Sequence, residues 1–130
     1  MAWTEKDIPD LRGRTAVVTG ANGGLGLATT QALAGAGATV VMAARDKRKA
    51  AAAESAIRNA HPAAALDLVP LDLASLASVR RAAEQIRGER PTIDILVNNA
   101  GLMAMPERRT ADGFEMQFGV NHLGHWAFTA

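Results

Sequence analysis

A doubly wound α/β fold is predicted for this 130-residue sequence by three observations. Short apolar, β-branched runs alternate from end to end with stretches of helical periodicity. The strand candidates are apolar throughout, as in a parallel sheet covered by helices on both faces. A glycine-rich turn joins the first strand to the first helix, where such sheets bind nucleotides.

The elements follow in order. Residues 1–14 are polar, are broken by Pro9 and read as an amino-terminal extension. Thr15–Thr19 (TAVVT) is a buried strand. From Leu25 to Ala36 small and apolar residues recur at helical spacing, with Leu25, Ala28 and Ala32 on one face. Thr39–Ala44 (TVVMAA) is the second strand. Asp46 to Ala60 reads as a helix turning Ala50, Ala53, Ile57 and Ala60 inward, ended by Pro62. Leu66–Leu71 (LDLVPL) is the third strand, and Pro70 suits it to a sheet edge. Ser75 caps the next helix, whose stripe is Leu76, Val79, Ala83 and Ile86, and Gly88 stops it. Thr92–Asn98 (TIDILVN) is the fourth strand. After a loop containing Pro106, Asp112 and Glu115 have the spacing of a capping box, opening a helix that runs to the last residue. Right-handed crossovers in a βαβαβαβα chain lead to the doubly wound order 3-2-1-4-5-6, of which this sequence supplies strands 3-2-1-4. Residues 15–130 are therefore expected to form a partial dinucleotide-binding domain.

Composition bounds the function. The length suits one domain. A formal net charge of +1 gives no field for nucleic acid or a membrane surface, and Arg108 with Arg109 makes only a short basic patch. With no cysteine there are no disulfides, thiolate metal sites or cysteine nucleophiles. No apolar leader core or membrane-length segment occurs, and a cytoplasmic protein is expected.

The strongest local motif is Thr19-Gly20-Ala21-Asn22-Gly23-Gly24-Leu25-Gly26, which has the pattern T-G-x-x-x-G-x-G between strand and helix. Glycine lets the backbone turn and approach a pyrophosphate, which the free N–H groups at the helix start then hold. Other site residues should follow the strand ends. Arg45 and Asp46 follow strand 2: an acid there would hold the ribose 2′-hydroxyl of NAD, an arginine the 2′-phosphate of NADP. Arg45 comes first and favours NADP, with NAD the alternative; Asp46 can equally cap the second helix. Asp72 and Leu73 follow strand 3, where a carboxylate can accept from an adenine amino group. Asn98, Asn99, Ala100 and Gly101 follow strand 4: asparagines can tie strand ends together, and the small pair leaves room for a sugar. His122 and His125 are three apart on the last helix, but no Asp, Glu or Cys motif completes a metal site with them.

In order and spacing these motifs resemble the short-chain dehydrogenase/reductase family over residues 12–130. Asp112-Gly113-Phe114-Glu115 and the stretch from Gln117 to His125 (QFGVNHLGH) resemble its branch containing retinol dehydrogenases, the WW-domain oxidoreductase and protochlorophyllide reductase. The resemblance implies that Gly20, Asn22, Gly24, Leu25 and Gly26 surround the pyrophosphate and nearby ribose. It places Arg45 at the 2′-phosphate, Asp72 and Leu73 at adenine, and Asn99, Ala100 and Gly101 beside the nicotinamide ribose. Asn121 matches the family's active-site asparagine, which shapes the last helix and supports a water in a proton relay. One departure bears on the cofactor: many NADP-using members carry a basic residue where this chain has Gly23.

The family's chemistry also uses a serine and a Tyr-x-x-x-Lys pair, the tyrosine protonating the developing alkoxide. This sequence has no tyrosine, its last lysine is Lys49 and its last serine Ser78. It reads as the amino-terminal half of an oxidoreductase acting on a lipophilic alcohol or carbonyl, inactive alone and prone to self-association through strand 4. The alternative is a non-catalytic nucleotide-binding or interaction module. A site for a sugar nucleotide or S-adenosylmethionine is disfavoured by Asn98-Asn99-Ala100-Gly101 and Asn121.

Overall fold

The computed structural model describes residues 1–130. Four strands form one parallel sheet in the order β3-β2-β1-β4: β1 is Thr15–Thr19, β2 Thr39–Ala44, β3 Ala65–Pro70 and β4 Ile95–Val97. The helices are α1 (Gly24–Gly35), α2 (Lys47–Ala60) and α3 (Leu76–Glu89), followed by a terminal run of α4 (Met116–Phe118), a π-helical stretch (Gly119–Gly124) and α5 (His125–Thr129). The fold class is the predicted one. Alternation along β1 divides the core. Ala16 and Val18 face Ala34, Ala53 and Ile57 of α1 and α2, whereas Val17 faces Val79, Ala82 and Ile86 of α3 and Val120. Burying each of these larger side chains contributes about 1.5–3 kcal/mol.

Tertiary contacts moved several predicted features. In α1 the buried residues are Gly26, Thr30 and Ala34, while Leu25 is 80% exposed. The helix lies against the sheet through these residues, with Leu27 and Leu33 partly buried against the core, rather than through Leu25, Ala28 and Ala32. In α2 Ala50, Ala53 and Ile57 are buried as expected, but Ala60 is exposed. In α3 Ala82, not Ala83, completes the buried stripe, and the helix passes through Gly88 to Glu89. Ser75 does cap it, accepting from the Ser78 N–H.

β4 is much shorter than Thr92–Asn98. The Asp94 carboxylate accepts from the Thr15 N–H at 2.8 Å and from Arg14 at 3.1 Å, which anchors the chain before the ladder begins. Those contacts, the backbone one foremost, hold the Asp94 carboxyl below its ordinary pKa. After the ladder the Asn99 N–H bonds back to the Val97 carbonyl and turns the chain away.

Asp112 and Glu115 do not form a capping box with each other. Asp112 accepts from the Leu76 N–H at 2.8 Å, so it caps α3 across the fold. Glu115 caps α4 by itself, accepting from the Gln117 and Phe118 N–H groups, and these two bonds lower its pKa. The gap between Asp112 and the helix is a turn in which Gly113 has φ +85°.

The two sheet edges differ. At the β3 edge Arg58 donates to the Ala64 and Leu66 carbonyls, Asp67 pairs with Arg90, and Pro70 has no N–H to offer. At the β4 edge Leu96 and the nearby Ile93 are exposed, and no strand covers them. The polar amino-terminal segment is fastened only near its end, where Leu11 packs against the core and its N–H reaches the Ala36 carbonyl. No helix is long and apolar enough to cross a membrane.

Candidate functional site

The carboxyl ends of all four strands open into a cleft of about 450 Å³. Its floor is made where β1 stops. Thr19 is fully buried and its hydroxyl oxygen accepts two backbone N–H groups, from Asn99 at 2.9 Å and Ala100 at 3.0 Å. The Asn99 side-chain amide donates in turn to the Thr19 carbonyl at 3.1 Å. The loops after β1 and β4 are thus joined edge to edge.

That junction leaves no room for side chains. Gly20 has φ +62°, and a Cβ on it would lie 2.9 Å from the Ala100 Cα. A Cβ on Gly26 would overlap the Gly20 carbonyl and the Asn99 amide. The α1 start is open to an anion. Its N-cap, Gly23, supplies no side chain, the first turn holds no acid, and helical bonding begins with the Leu27 N–H to the Gly23 carbonyl. The preceding N–H groups and the helix dipole are available to a phosphate.

Most residues expected at a cofactor meet in this one cleft. Gly20 and Asn22 line it from the turn, Arg45 from β2, Asp72 and Leu73 from β3, and Ala100 and Gly101 from β4. Gly24, Leu25, Gly26 and Asn99 are not in its lining. Gly26 and Asn99 stand behind the wall and fix its shape, whereas Leu25 projects to solvent. Asp72 also has a structural duty, its carboxylate accepting from the Ala74 N–H at 2.9 Å. Asp46 is the N-cap of α2, where one carboxylate oxygen accepts from both Arg48 and Lys49 N–H groups.

Sequence reasoning passed over some lining residues. Lys49 joins Arg45 at the β2 end; a basic residue one turn into the helix was the available signal. Met116 and Val120 close the side under the terminal run and are detectable only as an apolar i, i+4 pair.

Asn121 holds the loop after β4. Its side-chain oxygen accepts from the Leu102 N–H at 2.8 Å and its amide nitrogen donates to the Leu102 carbonyl at 2.7 Å. It lies in the π-helical stretch, where departures from α-helical bonding often mark functional sites. The two histidines diverge. His122 is exposed and stacks on Phe118 with ring centroids 5.3 Å apart. His125 is buried, with Nε2 2.8 Å from the Thr19 hydroxyl and Nδ1 3.2 Å from the Asn121 carbonyl. Desolvation lowers its pKa, and the Asn121 contact partly offsets this.

A model of the family described as short chain dehydrogenase matches residues 14–130. Human retinol dehydrogenase 13 is 49% identical over 117 residues, which are 90% of this chain and 35% of that protein. A crystal structure of a Mycobacterium paratuberculosis protein superposes with a TM-score of 0.88 at 48% identity, covering 99% of this chain and 45% of that one. A metagenomic short-chain oxidoreductase in complex with NADP gives 0.79 at 30% identity, covering 92% and 54%. The chain thus spans about a third of the curated relative's length and about half of each solved one.

The close junction generates one prediction. Gly26→Ala should lower the unfolding free energy by about 1–3 kcal/mol through overpacking. At Gly23 an added Cβ meets nothing within 4 Å, so Gly23→Ala should stay within about 0.5 kcal/mol of the parent. Denaturant unfolding of both variants is the measurement, and equal losses would show that the junction is not close-packed.

Proposed function

This chain belongs to the short-chain dehydrogenase family of oxidoreductases, and we propose that its cleft binds a nicotinamide dinucleotide, NADP in preference to NAD. The observation that carries the preference is that Arg45 and Lys49 both line the cleft at the β2 end, beside Asp46, whose Oδ1 caps α2. A planar guanidinium and an ammonium suit a 2′-phosphate, and the two cations outnumber the one adjacent acid. The α1 start, with Gly20 and Asn22 beside it, would take the pyrophosphate. Asp72 and Leu73 would contact adenine, and Ala100 and Gly101 the ribose beside nicotinamide. The dinucleotide complex of the metagenomic relative supports the same choice by analogy.

The bound dinucleotide supplies or accepts a hydride, and in the complete protein we assign the exchange to a lipophilic alcohol or carbonyl, following the likeness to a retinol dehydrogenase. Asn121 takes a supporting part by holding the Leu102 backbone beside the cleft and shaping the π-helical stretch. Reduction of a carbonyl also needs a proton and charge stabilisation at oxygen. The 130 residues contain no tyrosine. His125 is engaged on both ring nitrogens and His122 is stacked on Phe118. These residues by themselves therefore act as a binding module without turnover. We further propose that the protein is cytoplasmic and that residues 1–130 by themselves self-associate through the uncovered β4 edge.

Three outcomes are expected. In calorimetric titrations NADP binds more tightly than NAD, and Arg45→Ala and Lys49→Ala each reduce that difference by about tenfold or more, the scale of one charge-assisted contact, with little effect on NAD. Equal affinities in the parent chain, or a preference surviving both substitutions, reject the assignment. NADPH absorbance followed with retinoid, steroid and simple aldehyde substrates stays at background; turnover abolished by Asn121→Ala would refute the binding-module reading. Light scattering finds species larger than a monomer, diminished by Leu96→Lys on the exposed edge; a compact monomer at moderate concentration would exclude association.

A further inference from the structure

Beyond the residues that line the cleft, we infer that His125 is a positioning residue that acts as a neutral hydrogen-bond acceptor, setting the Thr19 hydroxyl so that the loops after β1 and β4 are held in binding geometry. The inference rests on the dinucleotide reading of the cleft, and its structural half can be tested without any dinucleotide.

A threonine hydroxyl has one proton to donate and two lone pairs to accept with. Both lone pairs of Thr19 face backbone donors, the Ala100 N–H at 3.0 Å and the Asn99 N–H at 2.9 Å, the latter shared with the Val97 carbonyl at 3.0 Å. Its remaining polar contact is His125 Nε2 at 2.8 Å. Thr19 must therefore donate there, and Nε2 must carry no proton. A neutral imidazole with a bare Nε2 is protonated at Nδ1. Nδ1 faces the Asn121 carbonyl at 3.2 Å, an acceptor that can only receive a hydrogen bond. Every polar atom in the chain of contacts is satisfied by this one arrangement. An Nε2–H tautomer or an imidazolium would place a third N–H donor against the Thr19 oxygen and leave its hydroxyl proton without an acceptor.

The position gives the arrangement its consequence. Thr19 precedes Gly20, which packs against Ala100, and both Gly20 and Ala100 line the cleft. His125 also touches the carbonyl of Asn121, whose side chain holds Leu102, another lining residue. One buried ring thereby ties the phosphate turn, the loop beside nicotinamide and the terminal helical run into one unit. His125 is only 6% exposed and touches no cleft ligand position, so its influence on binding passes through Thr19.

The test begins with the nitrogen-15 spectrum of the histidine rings in the ligand-free chain at neutral pH. The expected signature is His125 protonated at Nδ1 and bare at Nε2, lost in Thr19→Val and kept in Thr19→Ser. Dinucleotide titration follows. His125→Phe should weaken NADP binding about tenfold, the scale of one hydrogen bond, and His125→Gln, which retains an acceptor, should recover most of it. Thr19→Val, which also strips the two loop N–H groups of their acceptor, should weaken binding at least as much, and adding His125→Phe to it should cost little more, since the contact between them is already gone. A parent ring protonated at Nε2, or losses that simply add in the double variant, would overturn the inference even with dinucleotide binding intact. An Nδ1-protonated ring in a parent chain that binds neither NADP nor NAD would instead overturn the reading of the cleft, and the positioning role with it.

Discussion

The buried hydroxyl of Thr19 is the contact on which the arrangement of the cleft depends. It receives two backbone N–H groups from the loop after β4 and so brings together segments about eighty residues apart in sequence. The close approach this enforces explains why Gly20 and Gly26 lack side chains: a Cβ on either would press against the facing loop or turn. It also explains how a sheet whose central pairing with β4 is only three residues long keeps its strand ends in place. Side-chain bonds at both ends of β4, Asp94 to Thr15 and Asn99 to Thr19, supplement the short ladder.

Much of this was legible in the sequence because the signals were local. The strand runs, the helices between them and the handedness of crossovers sufficed for the order β3-β2-β1-β4. Arg45, Asp72, Ala100 and Gly101 could be placed because each follows a strand, and strand ends face one side of a parallel sheet. What escaped depends on packing at a distance. Leu25 fits the helical period of an apolar face, yet α1 turns Gly26, Thr30 and Ala34 to the sheet, with Leu27 and Leu33 packed partly buried against the core, so Leu25 faces outward. Asp112 and Glu115 have a capping-box spacing, but the nearest unsatisfied N–H for Asp112 belongs to α3, thirty-six residues earlier. No local pattern links Thr19 to His125, which are 106 positions apart.

The cationic end of the cleft shows the same division. Arg45 could be assigned from its place after β2, whereas the roles of its neighbours required knowing where α2 begins. Once Asp46 is the N-cap, its carboxylate turns to the Arg48 and Lys49 N–H groups, and the helix carries the Lys49 side chain to the cleft. Asp46 caps α2 through one oxygen and still lines the cleft, so the β2 end presents one acid together with two cations.

The inequality of the two sheet edges constrains the symmetry of any assembly that uses them. One edge is obstructed by Arg58, by the Asp67–Arg90 pair and by the proline that ends β3; the other is bare. A molecule with two adhesive edges can add neighbours head to tail without limit. A molecule with one can pair it only with the same edge of a second copy, related by a twofold axis, and this isologous contact consumes the edge on both partners. Strand addition by residues 1–130 taken alone would therefore close at two, because the obstructed β3 edge offers no second site.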